Sequence, residues 1–450
     1  TAEAEAVEVR VGLSYIDEDQ ALTNLELDLA ARSFEAVREE TAAAWNDLLN
    51  RVRVEGGDAA DRVVFYTALY HSLMQPADLT EAGGLYAINA DGTPRVETAE
   101  GWRYHTDDWC MWDTFRTSHP LGTLVEPERR ADLIRSMLRW YEVGGWLPKC
   151  TWRAAGYSRV MIANPAVPII ADAMAKGFHG FDWDLAWEAA HKAATEDIVN
   201  PGAEGLCGYM NLGTPPDYIE LGYVPHECDT TQAASMTLEH AHDDWCTAVI
   251  AEAVGREDEA AAFRARAGNW ENHWNPATGF LQGRHADGTW LEPFDPAELD
   301  DFNGWCEATS WIYTWFVPHD VEGLMDRMGG PDAFVEKLDE YFDGGHHDPS
   351  NQPGFHVPFL YNFAGAPGKA GARVRALRED HFLPSPDGLP GNDDAGAMSA
   401  WYVLAAMGLY PVCPGDPTWQ LVPRPSSGSP STSTRTSRRA ASPKRRARSP

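Results

Sequence analysis

Apolar positions recur along most of the chain at three- and four-residue spacings. In residues 24–52, Leu25, Leu29, Phe34, Val37, Ala44, Leu48 and Leu49 share one face, with acids and arginines between them. That pattern predicts an amphipathic helix or a bent pair. Similar stripes recur at 59–74, 126–143, 165–177, 183–195, 231–254, 256–274, 307–316, 331–343, 369–380 and 396–408. Roughly a dozen helices follow, and no repeat of fixed period joins them. Period-two alternation is confined to residues 7–16, with short pieces at 51–54 and 85–88 that suit hairpin arms. The loops at 76–107, 144–160, 196–230, 278–304, 344–358 and 383–395 are long and rich in Gly, Pro, Asp, His and Trp. In a helical scaffold such loops are where a site is built. The predicted fold class is mainly α, with about twelve helices in two concentric layers.

Composition narrows the function. The 450 residues are 44% hydrophobic, enough for a sizeable core, which excludes a disordered or fibrous protein. Asp and Glu number 68 against 36 Lys and Arg, a formal charge of −32 that repels phosphate backbones and argues against a nucleic-acid partner. The 18 Trp and 15 Tyr are scattered rather than grouped in apolar spans, so flat rings are expected in clefts as well as in the core. The flat C–H faces of sugars fit such rings. No run approaches the roughly 18 apolar residues of a membrane helix, so no membrane span is expected. Seven cysteines stand far apart with no CxxC pair, which argues against a structural zinc or redox motif, and the odd number leaves at least one unpaired. The chain begins at Thr1 without a charged-then-apolar leader, so any export signal is expected to have been removed or left out. Residues 424–450 hold eight Lys and Arg and no acid, in a Ser/Pro/Arg tract expected to be disordered. That stretch reads either as a basic tail or as the product of a shifted reading frame.

Four segments could carry chemistry. In 390–402, Asn392, Asp393 and Asp394 lie between glycines ahead of a helix-forming run; one acid could act as a base, or could simply cap the helix. In 304–320, Glu307 stands among Trp305, Trp311, Tyr313 and Trp315. Apolar rings would push its carboxyl toward general-acid behaviour, unless it is a surface Glu opening a helix. Residues 344–361 gather His346, His347, Asp348, Asn351, Gln352 and His356, and the oxygen donors suit a hard cation better than zinc; a polar loop without metal is the alternative. In 104–120, Trp112, Asp113 and Arg116 present a ring, a carboxylate and a guanidinium at helical spacing, as an ordinary Asp–Arg pair also would. The segments 236–245 (MTLEHAHDDW) and 146–152 (WLPKCTW) carry a weaker version of the same signal.

Their order along the chain is more specific than any one of them. WDTFRTSHPLGTL (112–124), GGWLPKCTW (144–152), VPIIADAMAKG (167–177), TLEHAHDDW (237–245), EATSWIYTWFVPHDVEGLMDRMGG (307–330), HDPSNQPGFHVPFLYNFAGAPGK (347–369) and DGLPGNDDAGAMSAWYVLAAMGLYPVCPG (387–415) together resemble glycoside hydrolase family 92 over residues 7–422. The resemblance implies a bacterial, calcium-dependent, inverting exo-α-mannosidase, secreted or periplasmic. It also implies an N-terminal β-sandwich followed by an (α/α)6 barrel. On that reading residues 1–20 are the remnant of the sandwich, 21–422 the catalytic barrel and 423–450 the tail, with the missing sandwich expected to pack on the barrel.

The resemblance implies roles as well. Glu307 would be the general acid, Asp394 the general base, and Asp393 and Asn392 would flank the base. Trp112, Asp113 and Arg116 would hold the mannose, with Trp305 and His356 also counted as substrate-binding. Asp348 and Asn351 would ligate Ca2+. Two departures stand out: Asp348 occupies a position where the family usually has Glu, and 163–166 reads Ala-Asn-Pro-Ala where the family commonly has a Gly and a His. The expected substrate is a terminal α-linked mannose, α-1,2-linked, on an N-glycan, a glycoprotein or a mannan. The alternatives are a relative that cleaves mannosyl phosphodiesters, which the retained Glu307 disfavours, and a truncated fragment that only binds sugar.

Overall fold

A computed structural model describes residues 7–29, 31–106, 111–151, 156–198, 212–299 and 303–423. The basic tail from residue 424 onward, Cys110, Trp152 and Cys207 lie outside the described residues. Burial sorts the helices into two kinds. In α7 (Ala166–Ala175) nine of ten residues are buried, in α10 (Ala233–Ala253) 17 of 21, and in α16 (Ala397–Met407) nine of 11. A helix buried all round belongs to an inner layer. By contrast α11 (Glu257–Arg266), α14 (Pro331–Asp343) and α15 (Pro367–His381) bury one stripe each, such as Phe334, Leu338 and Tyr341 of α14. These form the outer layer.

The inner helices pack in succession. α16 packs against both α3 (Ala59–Ser72) and α5 (Ser118–Val125), α5 against α7, and α7 against α10. Outer helices fill in behind, with α8 (Trp183–Thr195) and α11 on α10, α6 (Pro127–Gly144) on α5 and α7, and α15 on α16. Among the described residues, strands are confined to five two-stranded antiparallel ladders, of which the longest pairs β2 (Leu85–Ile88) with β3 (Arg95–Thr98), at the 85–88 piece that suits a hairpin arm.

Of the two readings of residues 24–52 the pair holds, as α1 (Glu18–Leu29) and α2 (Phe34–Leu49), because the Ser33 hydroxyl caps the second by accepting from the Ala36 amide. Two expectations are corrected. Residues 7–16 and 51–54 form no strand. The alternation at 7–13 leaves Val7, Val9, Val11 and Leu13 all 66% or more exposed, since no edge among the described residues pairs with them. Finally, the helix expected at 307–316 shortens to α12 (Ser310–Tyr313), capped by Thr309. Glu307 lies ahead of it in a left-handed conformation, φ 53°, which no helix accommodates.

Candidate active site

The two candidate acids are brought together by a third loop. Asn351 donates its side-chain amide to Oε2 of Glu307 at 3.1 Å and to the Glu307 carbonyl at 3.2 Å. Its chain neighbour Gln352 donates to Oδ2 of Asp394. A dipeptide thus reaches one carboxylate with each amide. Close backbone approaches fix the arrangement. A Cβ on Gly391 would lie 2.2 Å from the Ser350 carbonyl oxygen, and one on Gly396 would lie 2.6 Å from Ser72 Cα. Gly396 also sits at φ 83°, and Asp394 and Ala395 before it are left-handed at 48° and 55°. Three consecutive left-handed residues turn the chain sharply into α16, and such strain persists only where surrounding contacts hold it.

Asp393 and Asp394 divide their tasks. Asp393 Oδ1 accepts from the Ser399 amide at 2.9 Å, in the first turn of α16, and Oδ2 lies 3.6 Å from His71 Nδ1. The capping alternative therefore describes Asp393, while Asp394 faces Gln352. Asn392 is exposed.

Glu307 is also exposed, and the expected cage of rings does not surround it. Trp311 packs on Phe280 and stacks on His346, Trp315 packs on Phe334 and Tyr341, and Trp305 stacks on Tyr313. Those rings belong to the core, and α12, which begins three residues after Glu307, carries Trp311 and Tyr313 inward.

Beneath this front lies a buried polar knot that the sequence indicated only weakly. Oε1 of Glu239 accepts from Arg116 at 2.7 Å, from Trp112 Nε1 at 3.2 Å and from the Tyr313 hydroxyl at 3.4 Å. The Arg116 and Glu239 side chains are each 4% exposed. Burial pushes the Glu239 carboxyl up, and the Arg116 charge opposes it. Burial also pulls the Arg116 guanidinium down, but Glu239 and Tyr313 outweigh that and leave it raised. Arg116 further lies over the rings of Trp112, Phe115 and Phe316 at 4.6–4.8 Å. Asp113 is buried beside them in α4 (Met111–Thr114). The buried Cys306 thiol ties knot and front together. Burial raises its pKa, and the charges of Glu307, Glu239 and Asp113 raise it further.

His356 is buried and donates Nε2–H to the Trp315 carbonyl at 2.7 Å; burial holds its pKa down to about 4, so it is neutral. The departure at 163–166 is also accounted for. Ala163 adopts φ 58°, a conformation that suits Gly, and the Asn164 amide donates to Asp243 on α10 at 2.8 Å.

For a hard cation the donors are oxygens of Asp348, Asn351 and Gln352. Oε1 of Gln352 is buried without a hydrogen-bond partner, an acceptor that suits a cation. Asp348 is turned to its own loop, where Oδ1 accepts from the Ser350 amide at 2.8 Å and hydroxyl at 2.6 Å. No cluster of three or more His, Cys, Asp or Glu able to hold a metal occurs among the described residues. A site here would therefore depend on carboxamide oxygens. Gln352 is the functional candidate that sequence pattern singled out least, since a Gln in a Pro/Gly loop has no periodic signature.

Residues 20–427 match the glycosyl hydrolase family 92 catalytic domain, and the chain belongs to that family. Its fold is accordingly an (α/α)6 barrel. Among solved structures it is similar to a family 92 α-mannosidase of Bacteroides thetaiotaomicron in complex with mannoimidazole. The TM-score is 0.80 with 31% identity, over 91% of this chain and 54% of that one. It is also similar to a family 92 inverting mannosidase of the same organism, with TM-score 0.79 and 31% identity, over 89% of this chain and 56% of that one. A secreted glycosidase of the fungus Arthroderma benhamiae, itself uncharacterized, is 30% identical over 93% of this chain and 52% of its own length. The chain thus spans about half the length of these relatives.

Proposed function

We propose that this chain is the catalytic barrel of an inverting, exo-acting α-mannosidase. The observation that carries the reading is the placement of Glu307 and Asp394 on either side of the Asn351–Gln352 dipeptide. Inversion needs an acid on the leaving-group side and a base that activates water on the opposite face, with the carboxyls roughly 6.5–9.5 Å apart. In this reading Glu307 gives its proton to the departing glycosidic oxygen. Asp394, which accepts from Gln352, takes a proton from the attacking water. Asn351 orients the acid and Gln352 the base.

Asp348, Asn351 and the unpartnered Oε1 of Gln352 would hold a calcium ion, which when bound gathers sugar hydroxyls and favours ring distortion. The buried pair Arg116–Glu239 fixes Trp112 and Trp305 as rigid rings beneath the sugar, Trp305 by way of Tyr313. The substrate is a terminal α-linked mannose, α-1,2-linked, on a glycan or mannan. Secretion is supported by Cys150 and Cys228 each being engaged in a disulfide and by the secreted relative. No helix among the described residues is long and apolar enough to cross a membrane.

The test is incubation with α-1,2-mannobiose in millimolar calcium and then with chelator. Release of mannose that chelator suppresses supports the reading. Release of no mannose in either condition, from mannobioses of any α-linkage, refutes it.

A further inference from the structure

The turn that carries Asp394 is backed at two points by one residue of another helix. His71, in the last turn of α3, places Nδ1 3.6 Å from Oδ2 of Asp393 and 3.5 Å from the Ser399 hydroxyl. Its carbonyl oxygen lies 2.8 Å from where a Cβ on Gly396 would stand. His71 therefore meets the residue before Asp394 with its ring and the residue two after it with its backbone. Between those contacts the chain is left-handed at Asp394, Ala395 and Gly396, a run that persists only where neighbours hold it. On the α16 side the hold is made by the helix's own amides: Met398 donates to the Asp393 carbonyl and Ala397 to that of Asp394, both at 3.1 Å. On the α3 side it is His71.

Asp393 also acts on its neighbour through charge. One carboxylate beside another disfavours the other's ionisation, and a base must be ionised to accept a proton. An imidazole N–H directed at Oδ2 offsets the charge of Asp393.

We propose that His71 is a positioning residue for the base: it holds Asp393, and through Asp393 it sets the orientation and ionisation of Asp394. The proposal rests on the reading of Asp394 as the base. A residue acting in this way changes the rate of water activation and not the affinity for the sugar, and it does so whatever the leaving group.

The experiment measures kcat and KM for His71→Ala and His71→Asn on α-1,2-mannobiose and on an activated aryl α-mannoside, each with and without Asp393→Asn. His71→Ala should lower kcat by roughly 10–10²-fold on both substrates, the scale of a displaced reacting group, with KM unchanged. His71→Asn should recover most of that loss, because its side-chain N–H stands near the place of imidazole Nδ1. Asp393→Asn keeps an acceptor for the Ser399 amide, and in that background the removal of His71 should cost little more. The His71 and Asp393 side chains are 35% and 25% exposed, so melting temperatures should stay near wild type. A wild-type kcat in His71→Ala, a loss confined to KM, or a loss that persists in full beside Asp393→Asn would overturn the proposal. Histidine-ring ¹⁵N NMR reads the contact without turnover: the His71 Nδ1 resonance, assigned by its disappearance in His71→Asn, should shift in Asp393→Asn. No shift, with Asp394→Asn inert, overturns the positioning role alone. A shift with turnover retained in Asp394→Asn overturns the base assignment, and the positioning role with it.

Discussion

Asn351 donates its side-chain amide to Oε2 of Glu307 at 3.1 Å, while the next residue reaches Asp394. One short loop therefore touches both carboxylates and helps set their positions.

If Glu307 is the acid, its removal matters in proportion to how much the leaving group needs a proton. Glu307→Gln should lower kcat on mannobiose by about 10²–10⁴-fold and on an activated aryl α-mannoside by far less. Steady-state kinetics on both substrates checks this, and equal losses would remove Glu307 from the role.

Asp393 and Asp394 should separate by phenotype. Asp394→Asn should abolish turnover on both substrates with little change in melting temperature. Asp393→Ala removes the acceptor for the Ser399 amide and should cost about 1 kcal/mol of stability, the usual value of a cap. Thermal melts beside kinetics distinguish them. An inert Asp393→Ala with a wild-type melt would reverse the two assignments.

The Arg116–Glu239 pair is predicted to matter mostly when broken. Arg116→Met leaves a buried carboxylate with only Trp112 and Tyr313 as donors, and should destabilise by about 3–5 kcal/mol. Adding Glu239→Met should recover much of that loss, because the uncompensated charge is gone. Denaturant unfolding of the single and double variants measures it, and additive losses would contradict the account.

Stability should fall with acid partly through His356. Its folded pKa is about 4 against an ordinary 6.5, so the fold favours the neutral ring. That contribution is complete above pH 6.5 and is lost as the pH falls toward 4. The buried acids Glu239, Asp243 and Asp244 have raised pKa values and act in the opposite sense, so the comparison must be with a variant. His356→Gln retains a donor for the Trp315 carbonyl. It should lose less stability than wild type between pH 6.5 and 4, by on the order of 3 kcal/mol. Parallel stability curves would contradict the burial argument.

The inner helices were legible from their recurring apolar positions, although α10 also buries Glu239, His240, His242, Asp243 and Asp244. The runs at 165–177, 231–254 and 396–408 all correspond to one. The 307–316 stripe misled for a related reason. Trp311, Tyr313 and Trp315 are core residues, and their periodicity extends visually to Glu307, which the backbone places in a left-handed turn. The alternation at 7–13 has the right period but meets no strand edge among the described residues, and periodicity alone does not supply a partner. Glu239 carried a weak signal, an acid in the 236–245 segment of a long helix, where burial requires a cationic partner. Gln352 was legible only as one oxygen donor in a polar loop, because its contact with Asp394 exists only when Gly391 lets two distant loops meet.

The central claim is that Glu307 and Asp394 act as an inverting pair across the Asn351–Gln352 loop. The most direct test is to follow by NMR the anomer of mannose first released from α-1,2-mannobiose, with calcium present. The account predicts β-mannose as the initial product, mutarotating afterwards to the equilibrium mixture. Initial release of α-mannose would contradict it, since retention requires a covalent intermediate and two carboxyls only about 5–5.5 Å apart.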